Sequence, residues 1–278
     1  MEKKLLDMKN ISKTFGNVQA LKGVSLDLYA GEVLALMGEN GAGKSTLMNI
    51  LSGSLQPTEG EIYLNGEKVV VPDPITAKKL GIAKIHQELQ IVPELSVAEN
   101  IFLGRWKTSA GPAVDFKAMK DEAKVYLDML DVHVDPSKKL KDLRIGEQQL
   151  VEIAKAISLN SKIIVMDEPT SAISEKEAEK LFTIIRRLRG EGKGIIYITH
   201  RMEEIFKIAD RLTVMRDGQY IGTVKAAETS KDEIIRMMVG RDMSEQYPKD
   251  PTEKGEVALE VKNLTYTPPM GSFRRSLK

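Results

Sequence analysis

The sequence predicts an α/β fold: a mainly parallel sheet with an antiparallel β part and an inserted helical part. Three observations carry this prediction. Short, wholly apolar runs such as Val33 to Met37 and Ile163 to Met166 read as strands buried on both faces. Strand patterns alternate with helical ones along much of the chain, the order that builds a parallel sheet. Between about residues 95 and 160 the strand pattern stops, and apolar residues recur at three- and four-residue spacing instead.

Residues 4–12 and 21–37 read as strands, the second ending in Val33-Leu34-Ala35-Leu36-Met37. Glu61 to Val71 reads as a hairpin, with Ile62-Tyr63-Leu64 and Val69-Val70-Val71 on either side of the turn pair Asn65-Gly66. Helical spacing follows at Lys117 to Leu130 and at Gln148 to Leu159, where Leu150, Ile153, Ala154 and Ile157 share a face. Buried-strand patterns return at Lys162 to Met166 and Gly194 to Thr199. Between them, Ser174-Glu175-Lys176-Glu177 is a capping box. The helix it starts carries the stripe Leu181, Ile184, Ile185 and Leu188 and ends near Gly190. A second hairpin joins Leu212-Thr213-Val214-Met215 to Tyr220-Ile221 through Asp217-Gly218. These elements fill one domain over residues 1–245, with its core at about 1–94 and 161–245 and the helical insertion at about 95–160.

Leu6-Asp7-Met8-Lys9-Asn10-Ile11-Ser12 is matched by Leu259-Glu260-Val261-Lys262-Asn263-Leu264-Thr265, each position identical or conservative. Read as a repeat, the match makes residues 246–278 a linker and the start of a second copy of the domain, inside which the chain stops. The stretch from Pro268 to Lys278 has no core pattern.

The 278 residues include 41 Lys and Arg against 40 Asp and Glu, a net charge of +1, so no basic excess points to nucleic acid as a partner. With 42% hydrophobic and 29% charged residues the composition is that of a soluble globular protein. The absence of cysteine excludes disulfides, thiolate metal sites and a cysteine nucleophile. The apolar runs are far below the roughly 18 residues that a membrane span needs. Met1-Glu2-Lys3-Lys4 leads into an alternating segment and not an apolar signal core. The expectation is a soluble chain that serves any membrane process through a partner.

Gly38-Glu39-Asn40-Gly41-Ala42-Gly43-Lys44-Ser45-Thr46 follows a buried strand and opens a helix over Thr46 to Ser52, the context that the phosphate-binding G-x-x-x-x-G-K-[ST] motif requires. Glycines let the backbone wrap closely, so that successive N–H groups and the helix N-terminus face the phosphates. Lys44 is expected on the β- and γ-phosphates and the Ser45 hydroxyl on Mg²⁺. Kinases, GTPases and motor ATPases share this loop, so it assigns a ligand class only. Asp167 and Glu168 stand at the carboxyl end of the strand Ile163 to Met166, where ligands sit in open α/β sheets. Asp167 is expected to support Mg²⁺ through a water. Glu168, pointing differently, is placed to polarise an attacking water, or a bound hydroxyl in a phosphotransferase.

Four further elements narrow the reading: Phe15 after the first strand, Gln87 in Ile85-His86-Gln87-Glu88, Ser171-Ala172-Ile173-Ser174, and His200 after Ile195 to Thr199. In order and spacing they resemble ATP-binding cassette ATPases. The resemblance implies that Phe15 stacks on adenine. It implies that Gln87 links the core to the helical arm and touches Mg²⁺ or the attacking water. The Ser171 loop would cross a dimer interface, and His200 would contact the γ-phosphate. His86 and His133 are read as structural. The family signature Leu-Ser-Gly-Gly-Gln is altered to Leu143-Arg144-Ile145-Gly146-Glu147. Arg144 replaces a hydroxyl that would donate to phosphate. Glu147 suits a helix start but adds negative charge near an anion.

Gly146 to Ala156, Thr199-His200-Arg201-Met202 and Met237-Met238-Val239-Gly240-Arg241 resemble sugar-import cassettes of the ribose and galactose type. The resemblance covers roughly residues 3–266 and implies two cassettes in tandem, in agreement with the repeat. In tandem proteins of this type the second cassette often has an impaired phosphate loop. The altered signature would then face that weaker loop, and the intact loop with Glu168 would face a signature outside this chain.

The expectation is an ATPase energising import of a monosaccharide from the cytoplasmic face of the cell membrane. Its cofactors would be ATP and Mg²⁺, and its partners permease subunits, an external sugar-binding protein and a second cassette. A soluble cassette ATPase acting on ribosomes or DNA would need a basic face or an inserted arm. A nucleoside or sugar kinase would leave Gln87, the Gly146 helix and His200 unused.

Overall fold

The computed structural model describes residues 3–109, 113–240 and 259–264. The described elements, in chain order, are β1 (Lys4–Phe15), β2 (Val18–Tyr29), β3 (Val33–Met37), α1 (Lys44–Leu51), β4 (Glu59–Leu64), β5 (Glu67–Val69), α2 (Pro74–Lys79), β6 (Ile82–Ile85), α3 (Val97–Ile101), α4 (Phe116–Met129), α5 (Ile145–Ser158), β7 (Ile163–Asp167), α6 (Glu175–Gly190), β8 (Gly194–Ile198), α7 (Met202–Ile208), β9 (Arg211–Arg216), β10 (Gln219–Lys225) and α8 (Lys231–Val239).

They form two sheets. The four-stranded sheet runs β2-β1-β4-β5 and its pairings are antiparallel. The six-stranded sheet runs β10-β9-β3-β8-β7-β6; five of its strands are parallel, and β10 pairs antiparallel to β9 at one edge. Helices replace strands between β6 and β7, as the periodicity predicts.

Every residue of β3, β7 and β8 is buried, which explains the unbroken apolar runs. Along β8 the side chains alternate between two cores. Ile196 and Ile198 face a cluster with Leu47, Met48 and Leu51 of α1 and Leu6 and Met8 of β1. Ile195 and Tyr197 face another with Ile101, Leu150, Ile153, Leu181 and Ile185 of the helices. Each fully buried aliphatic side chain contributes about 1.5–3 kcal/mol. The stripe predicted on α6 is therefore its inner face, and both the Ser174 cap and its Glu177 partner form as read.

Some strand bounds need correction. The second arm of the first hairpin, predicted at Val69-Val70-Val71, is Glu67–Val69, and Val70 and Val71 lie beyond it. Residues 21–37 are not a single strand, because the chain turns at Ala30-Gly31-Glu32 between β2 and β3. Gly31 takes φ +70°, and the Glu32 carboxylate accepts the Tyr29 N–H at 2.7 Å. The strands on either side enter different sheets, a break that continuous apolar character conceals. Both hairpin turns form as predicted: Asn65 and Gly66 have φ +51° and +88°, and Asp217 and Gly218 have +52° and +75°.

Residues 1–241 form one unit and 242–278 another. The predicted tail, Pro268 to Lys278, lies outside the described residues, as does Thr265 of the repeat. No helix among the described residues is long and apolar enough to cross a membrane.

Candidate nucleotide site

The phosphate loop bridges the end of β3 and the start of α1, and its glycines are required by close approach. A Cβ on Gly38, at φ +152°, would lie 2.2 Å from the Met215 carbonyl oxygen. One on Gly43, at φ +97°, would lie 2.7 Å from a Leu21 methyl and 3.0 Å from the Ala20 oxygen. The helix begins at Lys44, two residues before the predicted Thr46, directly after Gly43 and without a side-chain cap. Its first N–H groups therefore stay available for an anion. Lys44 folds back over the loop, with Nζ donating to the carbonyls of Gly38 at 2.7 Å and Glu39 at 2.9 Å. Burial pushes its ammonium pKa below the ordinary lysine value, against the opposing pull of Asp167 and Glu168.

Strand β7 delivers the two carboxylates. Asp167 is buried, and burial lifts its carboxyl above the usual range; Lys84 and Lys44 pull it down, while Glu168 pushes it further up. Glu168 leaves the strand at φ +47°, a left-handed conformation unusual for its residue type. Two backbone bonds pin that turn: the Glu168 N–H donates to the Ile198 oxygen at 2.9 Å, and the Ser171 N–H donates to the Glu168 oxygen at 3.1 Å. The turn places the Glu168 side chain between the loops that carry Gln87 and His200. Gln87 Nε2 donates to its Oε2 at 3.3 Å, and His200 Nδ1 lies 3.1 Å from its Oε1.

These groups surround one cleft of about 650 Å³, lined by Asn40 to Thr46 with Gln87, Asp167, Glu168 and His200. Gly38 lies behind the lining, where its carbonyl holds Lys44. Phe15 is not brought in. It stands at the end of β1, 45% exposed, with Lys13 Nζ 5.2 Å from its ring centroid. Ala20 and Ile198 line the cleft without having been anticipated, since small and aliphatic strand residues carry no chemical signal.

Residues 21–171, which include the loop, match the family model described as ABC transporter. The chain belongs to that family. It is 51% identical over 261 residues to the ribose import ATP-binding protein RbsA of Caldanaerobacter subterraneus subsp. tengcongensis, a match covering 94% of this chain and 53% of that protein. It is 50% identical over 266 residues to RbsA of Clostridium tetani, covering 95% and 53%. The chain thus spans about half the length of the curated relatives it matches. Among solved structures it is similar to MJ1267, an ATP-binding cassette of an ABC transporter, with 30% identity and a TM-score of 0.74 over 86% of this chain and all of that one.

The cassette's altered signature lies at the start of α5. Arg144 occupies the N-cap position, where a guanidinium has no acceptor to offer the helix. Glu147 supplies half of a capping box, its Oε2 accepting the Arg144 N–H at 2.8 Å. Its charge is thus used on the helix's own backbone. The Ser171 loop leads into the Ser174 cap of α6.

Ser45, Asp167 and Gln87 together offer hydroxyl, carboxylate and amide oxygen, the hard donors that Mg²⁺ takes, with few protein ligands and the rest water. The buried Asp167 carboxylate, raised by desolvation, is the group whose charge a dication would stabilise. Lys84 also bears on this carboxylate. It reaches Asn49 Oδ1 at 2.6 Å, and its signal was a lone lysine inside the apolar strand β6.

Proposed function

We propose that the chain is an ATP-binding and ATP-hydrolysing cassette that energises import of a sugar, a monosaccharide, through a membrane permease. The observation that carries the reading is the placement of Glu168. Its carboxylate is held between Gln87 and His200 in the same cleft as the phosphate loop. Loop N–H groups and Lys44 bind the phosphates of ATP, Ser45, Asp167 and Gln87 hold Mg²⁺, and Glu168 accepts a proton from the attacking water. Mg²⁺ supplies charge neutralisation on the phosphate oxygens. His200 steers Glu168 and reaches toward the γ-phosphate. Phe15, exposed, is free to meet an adenine ring.

The names of the relatives, ribose import and ribose/galactose/methyl galactoside import ATP-binding proteins, support a ribose- or galactose-type sugar. An external sugar-binding protein upstream and a place on the cytoplasmic face of the membrane belong to the same proposal. A tandem arrangement is supported by the share of those relatives that this chain spans. It is supported too by the repeat, since Asn10 and Asn263 occupy matching positions and both take left-handed φ, +50° and +54°. In that arrangement the intact loop and Glu168 work with a signature from the second cassette. Arg144 and Glu147 face the weaker site. Affinity capture from cells separates the readings: recovery of a polytopic membrane permease fits an importer, and recovery of ribosomes or nucleic acid in its place contradicts it.

A further inference from the structure

Glu204, in the first turn of α7, is 6% exposed and lies outside the cleft. Its carboxylate takes hydrogen bonds from three buried hydroxyls. Thr170 Oγ1 donates to Oε1 at 2.7 Å, Tyr197 OH to Oε2 at 2.8 Å, and Thr199 Oγ1 to Oε2 at 2.9 Å. Arg201 Nη1 approaches Oε1 at 3.5 Å from the rim. The Thr199 oxygen in turn accepts the Arg201 N–H at 3.0 Å.

The positions of these donors in the chain give the cluster its meaning. Thr170 follows Glu168 by two residues. Thr199 and Arg201 flank His200, and a single hydroxyl ties them across it. One carboxylate therefore fastens the turn that presents Glu168 to the loop that presents His200. As a helix start alone, an exposed acid would serve as well. Burying a carboxylate is costly, and an apolar side chain of similar volume is often neutral or better for stability. A non-glycine residue at φ +47° persists only where its surroundings over-determine it.

We propose that Glu204 is a positioning residue for hydrolysis, holding Glu168 in its left-handed turn and His200 within reach of it. The proposal rests on the reading of Glu168 and His200 given above. Hydrolysis rate, ADP affinity and melting temperature are measured on the same preparations of the parent, Glu204→Leu, Glu204→Gln, Thr199→Val and Glu168→Gln. ADP reports the phosphate loop without involving the γ-phosphate. Glu204→Leu should lower the turnover of folded protein about a hundredfold, the scale of a misplaced catalytic group, with ADP affinity held within about twofold. Glu204→Gln should recover most of the rate, since an amide can accept from one hydroxyl and donate to another. Thr199→Val should show the same split, more weakly.

Parental turnover in Glu204→Leu and Thr199→Val would overturn the proposal. So would a loss of rate and ADP affinity in step. If Glu204→Leu does not fold, Thr199→Val decides alone, because it leaves the carboxylate two hydroxyl donors. Parental turnover in Glu168→Gln is a different result, which sinks the proposed function and not the frame alone.

Discussion

His200 Nδ1 lies 3.1 Å from Glu168 Oε1, although the two residues leave different strands and stand 32 positions apart. The contact fixes one carboxylate oxygen, while Gln87 takes the other. His200→Ala should free the Glu168 side chain and slow hydrolysis by about a hundredfold while leaving ADP binding intact. Steady-state turnover together with ADP titration checks this, and a variant that hydrolyses at the parental rate would show the contact to be incidental.

The loop glycines should differ sharply in tolerance. At Gly38 an alanine Cβ would meet the Met215 oxygen at 2.2 Å, backbone that cannot step aside. At Gly41 it would meet nothing within 4 Å, leaving only the strain of φ +86°. Gly38→Ala is therefore expected to cost more than about 2 kcal/mol and most ATP affinity. Gly41→Ala should cost about 1–2 kcal/mol. Denaturant melts with nucleotide titration check the order, and equal losses would contradict it.

Restoring a hydroxyl at the start of α5 should stabilise the protein. Ser at position 144 can accept an N–H that the guanidinium cannot, completing a box of which Glu147 already forms half. Arg144→Ser is expected to add about 1 kcal/mol. The melting temperature should rise by roughly 2–4 °C. No rise would mean that solvent already satisfies the first-turn N–H groups of α5 as well as a serine hydroxyl would.

The cap of α6 should show in acid. The Ser174 hydroxyl and N–H hold the Glu177 carboxyl below its ordinary value. A lowered folded pKa contributes stability that is complete above the unfolded pKa and is lost as pH falls through the folded one. Ser174→Ala should therefore melt below the parent at neutral pH, with the gap closing as the pH drops below about 4. A constant gap would assign the loss to the hydroxyl's own bond and not to Glu177.

Much of this was legible beforehand because it lies in local pattern. β7 and β8 read as buried strands because every side chain in them is buried. Ser174 and Glu177 read as a cap because both ends of the bond lie within four residues. The phosphate loop was legible because its spacing is the mechanism. Tertiary contact was not. Nothing near Glu204 in the chain points to Thr170, and nothing near Gln87 in the chain names Glu168 as its partner. The Gly31 turn hid inside apolar flanks. Phe15 rests on resemblance alone: it is exposed at the end of β1 and is not among the residues that line the cleft.

The central claim is that Glu168 is the base of an ATP-hydrolysing site whose binding parts stand without it. The direct measurement compares the parent with Glu168→Gln for ATP affinity and turnover under identical conditions. The account predicts that the variant binds ATP at least as tightly and loses about a hundredfold or more of its turnover. Equal turnover in both proteins would contradict it.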